Sequence, residues 1–113
     1  MENKNNESIC EKIGVKPDRP TPNSIIGLAI DSLGNGVIHG LRHPSEQNTN
    51  GWYIWSGDYS EYEDFFKPVC KEHLNEYIKI DLEKYLDLPA GYRFLIDGNQ
   101  YEDVWFDESL LEI

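Results

Sequence analysis

Short runs in which apolar and polar residues alternate follow one another from residue 25 onward, separated by turns that contain glycine. Runs of this kind, rich in β-branched and aromatic side chains, are typical of strands. The runs 25–31 and 37–43 lie on either side of a turn at 32–36, and this arrangement predicts an antiparallel hairpin. The run 51–58 has apolar side chains on both faces, which predicts a central strand covered on both sides.

A helical period replaces this alternation in one later segment. Between residues 74 and 86, apolar side chains recur at spacings of three and four, so that they line one side of a helix. The stretch 78–80 can interrupt this pattern, with Asp81 as the N-cap of a final helix that ends before Pro89, and two helices are favoured over one. The apolar positions are Leu74, Tyr77, Ile78, Leu82, Tyr85 and Leu86.

The C-terminal part of the chain predicts a second hairpin. Residues 92–97 and 101–107 alternate with a period of two on either side of a turn that contains glycine. In the return strand, Trp105 falls on the same face as Asp103 and Asp107. The alternation therefore directs most aromatic side chains inward and most acids outward, with Trp105 on the acidic side.

Together these elements predict an α+β fold, in which a mainly antiparallel sheet of about five strands carries one or two helices on one face. Residues 25–113 are expected to form this single domain. Residues 1–24 are interpreted as a polar tail, in which three prolines prevent regular structure and which contributes little to the core. The spacing within 8–13 is compatible with a short helical turn.

Composition narrows the class of protein. The 113 residues suffice for one domain, and an aromatic share of 12% supports an ordered core. The N-terminal sequence lacks the apolar segment of a signal peptide, and no apolar run is long enough to span a membrane. We therefore expect a cytoplasmic monomer or homodimer, in which Cys10 and Cys70 are free thiols.

Charge is distributed unevenly along the chain. Acidic residues outnumber basic ones 21 to 10, and residues 51–113 hold 15 of the acids but only 5 of the bases. Such a surface repels nucleic acid and anionic lipid and attracts basic proteins, so neither nucleic-acid binding nor membrane binding is expected. The alternative interpretation is that the acidity only keeps a small protein soluble.

Two clusters of carboxylates lie beside tryptophans in this acidic half. One follows Trp55 and the other surrounds Trp105. A solvated acidic face accounts for both clusters; the functional alternative is a surface on which acids attract a basic partner and an aromatic side chain anchors it. The candidate partner-binding residues are Asp58, Glu61, Glu63, Asp64, Glu102, Asp103, Trp105, Asp107 and Glu108.

Residue spacing gives little support to a catalytic or metal site. His39 and His43 are four apart, but Gly40 and Pro44 argue against a helix and no third ligand is near, so neither a metal nor a cofactor is expected. Cys70 and His73 could supply a thiol nucleophile and its base, although a spacing of three is common in any helix. No catalytic residue is assigned, and the chain is not expected to be an enzyme.

Two motifs near the C-terminus resemble those of a known family. The stretch 88–96 has the sequence Leu-Pro-Ala-Gly-Tyr-Arg-Phe-Leu-Ile, and the stretch 101–107 has Tyr-Glu-Asp-Val-Trp-Phe-Asp. Both resemble the C-terminal signature of the immunity protein 33 family of bacterial polymorphic toxin systems. The Gly-Trp and Ser-Gly-Asp motifs within 51–58 extend the resemblance upstream.

This resemblance implies a non-enzymatic cytoplasmic protein that binds and neutralises a cognate toxin. If the toxin is a nuclease with a basic cleft, the acidic residues would occupy that cleft as a mimic of phosphate. Trp52, Trp55 and Trp105 are the candidate anchors, and at least one of them is expected in the core. The alternative is a small ligand-binding or regulatory domain that holds a sugar or nucleobase on an aromatic strand face, in a pocket lined by one of these tryptophans.

Overall fold

The computed structural model describes residues 9–34, 36–46, 49–60, 62, 64–97 and 101–112. The strands are β1 (Ile25–Leu28), β2 (Ile38–Arg42), β3 (Thr49–Ser56), β4 (Lys67–Cys70), β5 (Tyr92–Ile96) and β6 (Glu102–Phe106). The helices are α1 (Ile9–Ile13), α2 (Glu83–Leu86) and the 3₁₀ helices Ile30–Ser32, Lys71–Glu76 and Glu108–Leu111. The predicted α+β class is confirmed, with these six strands in place of about five.

The six strands form one mixed sheet in the order β4-β1-β3-β2-β5-β6. β1 and β3 are parallel, and the other four pairings are antiparallel. β3 occupies a central place, as its two apolar faces predict. Trp52 and Ile54 are buried on one face of β3, and Trp55 is buried on the other.

The predicted hairpin between the runs 25–31 and 37–43 is wrong, because β3 lies between β1 and β2. The chain reverses direction between β1 and β2, but it leaves the sheet in the 3₁₀ helix Ile30–Ser32 and passes β3, so the two strands do not pair. Ser32 stabilises this turn, since its hydroxyl donates to the carbonyl of Ala29 at 2.7 Å and accepts the amide of Ser56 at 3.0 Å. β2 therefore re-enters the sheet on the far side of β3.

The second predicted hairpin is confirmed. β5 and β6 pair in antiparallel register, with Phe94 opposite Val104 and Arg93 opposite Trp105. Residues directly opposite each other point to the same side of a sheet. Phe94 and Val104 therefore face the core, whereas Arg93 and Trp105 face the other side. The turn predicted at 97–100 lies outside the described residues, except for Asp97.

α1, α2 and the 3₁₀ helix Lys71–Glu76 pack on one face of the sheet, where they close a single hydrophobic core with Ile26, Leu28, Ile54 and Phe94. The helical period between residues 74 and 86 is divided, as predicted, into two elements separated at 78–80, but the first is the 3₁₀ helix Lys71–Glu76. The prediction of Asp81 as the N-cap is wrong, because Leu82 occupies that position; the Asp81 carboxylate, one residue earlier, accepts the amide of Glu83 at 3.0 Å. The buried contributors from the helices and from the segment between them are Ile9, Cys10, Leu74, Ile78, Leu82, Tyr85 and Leu86.

The N-terminal segment takes part in the core, so the expectation that residues 1–24 contribute little to it is wrong for the described part. Ile9 and Cys10 are 3% and 0% exposed and belong to the hydrophobic core, and the helix α1 that carries them contacts α2. The amide of Asp18 donates to the carbonyl of Asp87 at 2.7 Å, and the Arg19 guanidinium pairs with the Asp87 carboxylate at 3.1 Å. The division at residue 24 itself stays a prediction.

The opposite face of the sheet carries none of the described helices except the C-terminal turn Glu108–Leu111, which approaches its rim. The carbonyl of Leu110 lies 2.9 Å from the Nδ1 atom of His43. We call this side of the sheet, opposite α1 and α2, the open face. Across the described part of the chain, no helix has the length and apolar character needed to cross a bilayer.

Candidate partner-binding surface

The topology gathers strand ends at one end of the sheet. β1, β3 and β5 end there, and β2, β4 and β6 begin there, as the pairings of Leu28 with Lys67, of Ser56 with Ile38 and of Ile96 with Glu102 show. Because neighbouring strands lie about 4.8 Å apart, six strands make this end about 24 Å wide. We call it the acidic end, since its described carboxylates are those of Asp31, Asp58, Asp64, Asp97, Glu102 and Asp103.

An open cleft of about 600 Å³ lies at the acidic end, between the 3₁₀ helix Ile30–Ser32 and the segment that follows β3. Its lining includes the carboxylates of Asp31, Asp58 and Asp64, several serine hydroxyls, and the rings of Tyr62 and Phe65. This mixture of acids, hydroxyls and rings suits a basic side chain better than an apolar ligand.

The predicted residues of this segment are only partly described. Asp58 and Asp64 are exposed, and the Asp64 carboxylate lies 3.8 Å from the ammonium of Lys67. Glu61 and Glu63 lie outside the described residues. The pairing of Asp64 leaves Asp58 as the carboxylate of this segment that no cation approaches among the described residues.

Aromatic rings fix the segment against the open face. Tyr59 and Phe66 contact Trp55, with ring centroids 5.2 and 6.1 Å away, and Phe66 also meets Tyr53 at 5.1 Å. Phe65 packs against Phe66 at 4.9 Å. Edge-to-face pairs of this kind stabilise beyond their buried area. The loop that carries Asp58 is therefore held by its own aromatic cluster.

The three tryptophans have different roles. Trp52 is a core residue at 1% exposure, and its indole N–H donates to the carbonyl of Leu86 at 3.0 Å. Trp55 is 4% exposed and stacks on the imidazole of His39 with centroids 4.9 Å apart. Trp105 is 37% exposed, with the guanidinium of Arg93 lying 5.6 Å from its ring centroid. Trp105 is thus the tryptophan that a partner can reach.

Glu102 has partners within the protein. Its carboxylate accepts a short hydrogen bond from the hydroxyl of Tyr85 and lies 3.6 Å from the ammonium of Lys84. Burial raises the pKa of Tyr85, and the hydrogen bond to Glu102 raises it further. Glu102 therefore links β6 to α2 in addition to facing solvent.

Asp107 also has an internal role, as the N-cap of the 3₁₀ helix Glu108–Leu111. Its carboxylate accepts the hydroxyl of Ser109 at 2.6 Å and the amide of Ser109 at 3.1 Å, and it pairs with Arg93 at 3.0 Å. The Ser109 hydroxyl contributes most to lowering the pKa of Asp107, followed by Arg93. Much of the charge of Asp107 is thus matched within the protein.

Asp103 and Glu108 complete the predicted set. Both are exposed, and neither makes an ion pair or side-chain hydrogen bond with another described residue. Asp103 points to the open face, because it lies opposite Leu95 in the β5–β6 pairing. The structure thus leaves Asp58, Asp103 and Glu108 as carboxylates with uncommitted charge. Asp58 and Asp103 lie at the acidic end, Trp105 is an accessible ring on the same face of β6 as Asp103, and Glu108 follows the opposite end of β6.

Of the histidines considered for chemistry, His39 and His43 are engaged in packing, whereas His73 is exposed and its Nδ1 lies 2.8 Å from the Glu76 carboxylate. The ring of His43 meets Tyr53 edge-on at 5.6 Å, and burial lowers the pKa of His39. Cys70 is a half-buried free thiol. Cys10 is a buried free thiol whose pKa is raised mainly by burial. Within the described ranges, no group of three potential ligands is placed to hold a metal ion.

Sequence reasoning missed the residue that ties the sheet together at the end opposite the acidic end. Arg42 is 3% exposed, and its guanidinium donates to the carbonyl oxygens of Asp18 at 2.7 Å and of Asn50 and Leu88 at 2.8 Å. No local pattern signals this role, because the acceptors lie in three different segments and those of Asp18 and Leu88 are 24 and 46 positions away in the sequence. Arg42 lies at the end of β2 and appears in the sequence as an ordinary polar strand terminus.

Comparison with known proteins gives one match. A family model described as Imm33-like domain matches residues 5–107. No curated protein and no solved structure matches the chain.

Proposed function

Because the chain belongs to the Imm33-like domain family, whose model covers residues 5–107, we propose that it is an immunity protein that binds a toxin and blocks its activity. This membership bears out the resemblance seen in the C-terminal motifs. The protein acts by occupying a surface of the toxin and performs no reaction of its own. We place this function in the cytoplasm, where the toxin of a sibling cell would act.

The observation that supports this proposal best is the convergence of carboxylates at the acidic end. Asp31 and Asp103 are 72 positions apart in the sequence, yet the pairing of β1 with β3 and of β5 with β6 brings their strand ends to the same end of the sheet. A field summed over several unpaired carboxylates steers a basic partner and speeds association by about 10- to 1000-fold. Trp105 supplies an aromatic anchor next to this field.

A toxin with a basic cleft fits this surface. Nucleases bind a phosphate backbone with Lys and Arg side chains, and a row of carboxylates about 24 Å wide can replace that backbone in the cleft. The acidic end would then cover the catalytic cleft and exclude nucleic acid, while Trp105 and Glu108 would meet the toxin beside the cleft, along β6 and beyond its far end. The same negative charge keeps the immunity protein itself away from nucleic acid and anionic membranes.

The ligand-binding alternative depends on a pocket lined by a tryptophan. The cleft at the acidic end is lined instead by Tyr62 and Phe65, and Trp52 and Trp55 are committed to packing. A carboxylate-rich open cleft is less suited to a sugar or nucleobase than an enclosed aromatic pocket. These features favour a protein partner.

Co-expression with the product of the adjacent gene tests the function. We expect cells that express the neighbouring toxin domain to grow only when this protein is also present. Equal growth with and without the protein would refute immunity to that toxin.

Charge reversal tests the binding surface with a matched control. Asp58→Lys with Asp103→Lys changes two uncommitted carboxylates, whereas Glu46→Lys with Glu72→Lys makes the same change in charge at the opposite end of the sheet. We expect the first pair to slow association with the toxin domain about tenfold at low salt and the second to have little effect. Equal effects of the two pairs would mean that net charge, and not the acidic end, governs binding.

A further inference from the structure

The outer edge of β6 has no strand beside it. β6 pairs with β5 alone among the described strands and lies at the end of the sheet. The amide of Asp107 points to the carbonyl of Gly91, on the β5 side. Backbone groups of successive residues alternate in direction along an antiparallel strand, so those of Glu102, Val104 and Phe106 point outward. This edge therefore offers a row of donors and acceptors to another strand.

The opposite edge of the same sheet is blunted. β4 has only four residues, and Pro68, in the middle of this strand, lacks the N–H that a further strand would require. Lys67 adds a charge at its start. β6 is longer and contains no proline. The two edges are thus treated differently within one sheet, and only β6 keeps a continuous edge.

Aromatic side chains flank the open edge on both faces. Trp105 is 37% exposed on the open face, and Phe106 is 50% exposed on the helix-bearing face. A strand added beside β6 would cover both rings, because side chains of adjacent strands lie about 5 Å apart. Apolar contact and main-chain hydrogen bonds would then act together.

The negative charge along the edge of β6 favours a basic segment over a second copy of this chain. The segment 102–108 holds four carboxylates, and the cations that reach it are Arg93 and Lys84. A second copy of this chain would bring another formal charge of −11 against it. A segment with Lys or Arg at alternate positions would instead place its cations beside Asp103 and Trp105.

We propose that β6 accepts an extended, lysine- or arginine-containing segment of the partner as a seventh strand of the sheet. This inference rests on the proposed function for the identity of the partner as a basic toxin. Main-chain hydrogen bonds between this segment and β6 supply affinity. The cations of the segment pair with Asp103 and the ring of Trp105, and its alternate apolar side chains pack against Phe106.

A defined peptide tests the inference without the toxin. The probe is a fluorescein-labelled heptapeptide of sequence Thr-Lys-Val-Lys-Val-Lys-Thr with blocked ends, and binding is followed by fluorescence anisotropy at low salt. There are two matched control peptides. The first carries Glu in place of each Lys, and the second keeps Lys but carries a methyl group on two backbone nitrogens along one edge of the peptide. We expect the Lys peptide to bind, the Glu peptide to bind at least tenfold more weakly, and the methylated peptide to lose about tenfold through its missing donors.

Variants of the protein test the same edge from the other side. Val104→Pro removes an outward N–H, and Val104→Ala keeps it while removing the same side-chain packing. We expect Val104→Pro to bind the Lys peptide at least tenfold more weakly than Val104→Ala. Glu102→Pro against Glu102→Ala provides a second pair at the first residue of the strand, where proline is tolerated, in case Val104→Pro does not fold.

The outcomes separate the inference from the proposed function. Equal binding by the Pro and Ala variants, or by the methylated and unmethylated peptides, would overturn the strand addition. Concentration-dependent dimers that Glu102→Pro abolishes would also overturn it, since the occupant would then be a second copy. If the peptide binds as expected but the protein gives no protection against the toxin domain, the edge is confirmed and the immunity proposal fails.

Discussion

The buried guanidinium of Arg42 allows a quantitative prediction. It donates three short hydrogen bonds to carbonyl oxygens from the N-terminal segment, from β3 and from the loop after α2, and it lies 5.7 Å from the ring centroid of Trp52. Arg42→Met keeps much of the volume and removes all three donors. The carbonyl oxygens of Asp18, Asn50 and Leu88 then lose their charged partner in a site that is only 3% exposed.

The magnitude follows from two opposing contributions. A hydrogen bond to a charged group contributes about 1.5 to 3 kcal/mol, so three amount to about 4 to 9 kcal/mol. Burial of the guanidinium opposes this gain, and it also lowers the pKa of Arg42. We expect Arg42→Met to reduce the free energy of unfolding by about 3 to 5 kcal/mol, a large part of the stability of a small domain.

Urea denaturation followed by tryptophan fluorescence measures this loss. Lys67→Met is the control for removing an exposed cation and should cost no more than about 0.5 kcal/mol. Arg42→Lys keeps the charge and three N–H donors, but these radiate from one atom, whereas Arg42 reaches Asn50 through Nε and the other two carbonyls through Nη1. We expect Arg42→Lys to recover less than half of the loss. A loss below about 1 kcal/mol for Arg42→Met would refute the reasoning, since it would show that water satisfies the same carbonyls.

Two further predictions concern packing and pH. In Gly40→Ala, the new Cβ atom would lie 2.2 Å from the Phe94 ring, so the ring must shift. We expect the midpoint of thermal unfolding to fall by an amount equivalent to about 1 to 3 kcal/mol. An unchanged midpoint would show that the ring moves freely. The pKa of His39 is lowered, chiefly by burial, so His39 reduces the stability of the protein as pH falls below its unfolded pKa of about 6.5. The pKa of His73 is raised by the hydrogen bond to Glu76, so the stability that His73 contributes is present at low pH and is lost as pH rises. Acidification from pH 7.5 to 5.5 should therefore destabilise His39→Gln less than the parent protein and His73→Gln more, and urea titrations that reverse this order would contradict the assignment.

Local pattern predicted the elements whose neighbours lie close in sequence. β5 and β6 follow one another with a short turn between them, and their alternation sufficed to predict both the pairing and its faces. The two apolar faces of β3 predicted its central place. These signals are strong because each depends on the side chains of one continuous stretch.

Pairings between distant segments escaped prediction. β1 and β2 are separated by a turn-like sequence, but both pair with β3 and not with each other. The local sequence of β1 does not indicate that its partners lie at 49–56 and 67–70. β4 was not predicted at all, because a four-residue strand that contains Pro68 lacks the usual signals.

The candidate surface shows the same division. Alternation predicted that the acids of β6 face outward, and the structure agrees for Asp103. It could not reveal that Arg93 and Ser109 bind Asp107 or that Tyr85 binds Glu102, because these partners are set by the docking of α2 and of the C-terminal turn. The place of Asp31 at the acidic end likewise depends on the parallel pairing of β1.

The insertion of β1 between β3 and β4 has a consequence for biosynthesis. Both of its partners are translated later than β1 itself, and a carbonyl that Arg42 requires, that of Leu88, is translated later still. A nascent chain that extends only to residue 48 therefore presents β1 as an unpaired apolar strand, and the sheet is complete only once the C-terminal segments follow. A half-made chain can consequently form neither the acidic end nor the edge of β6, because both depend on strands that are translated last.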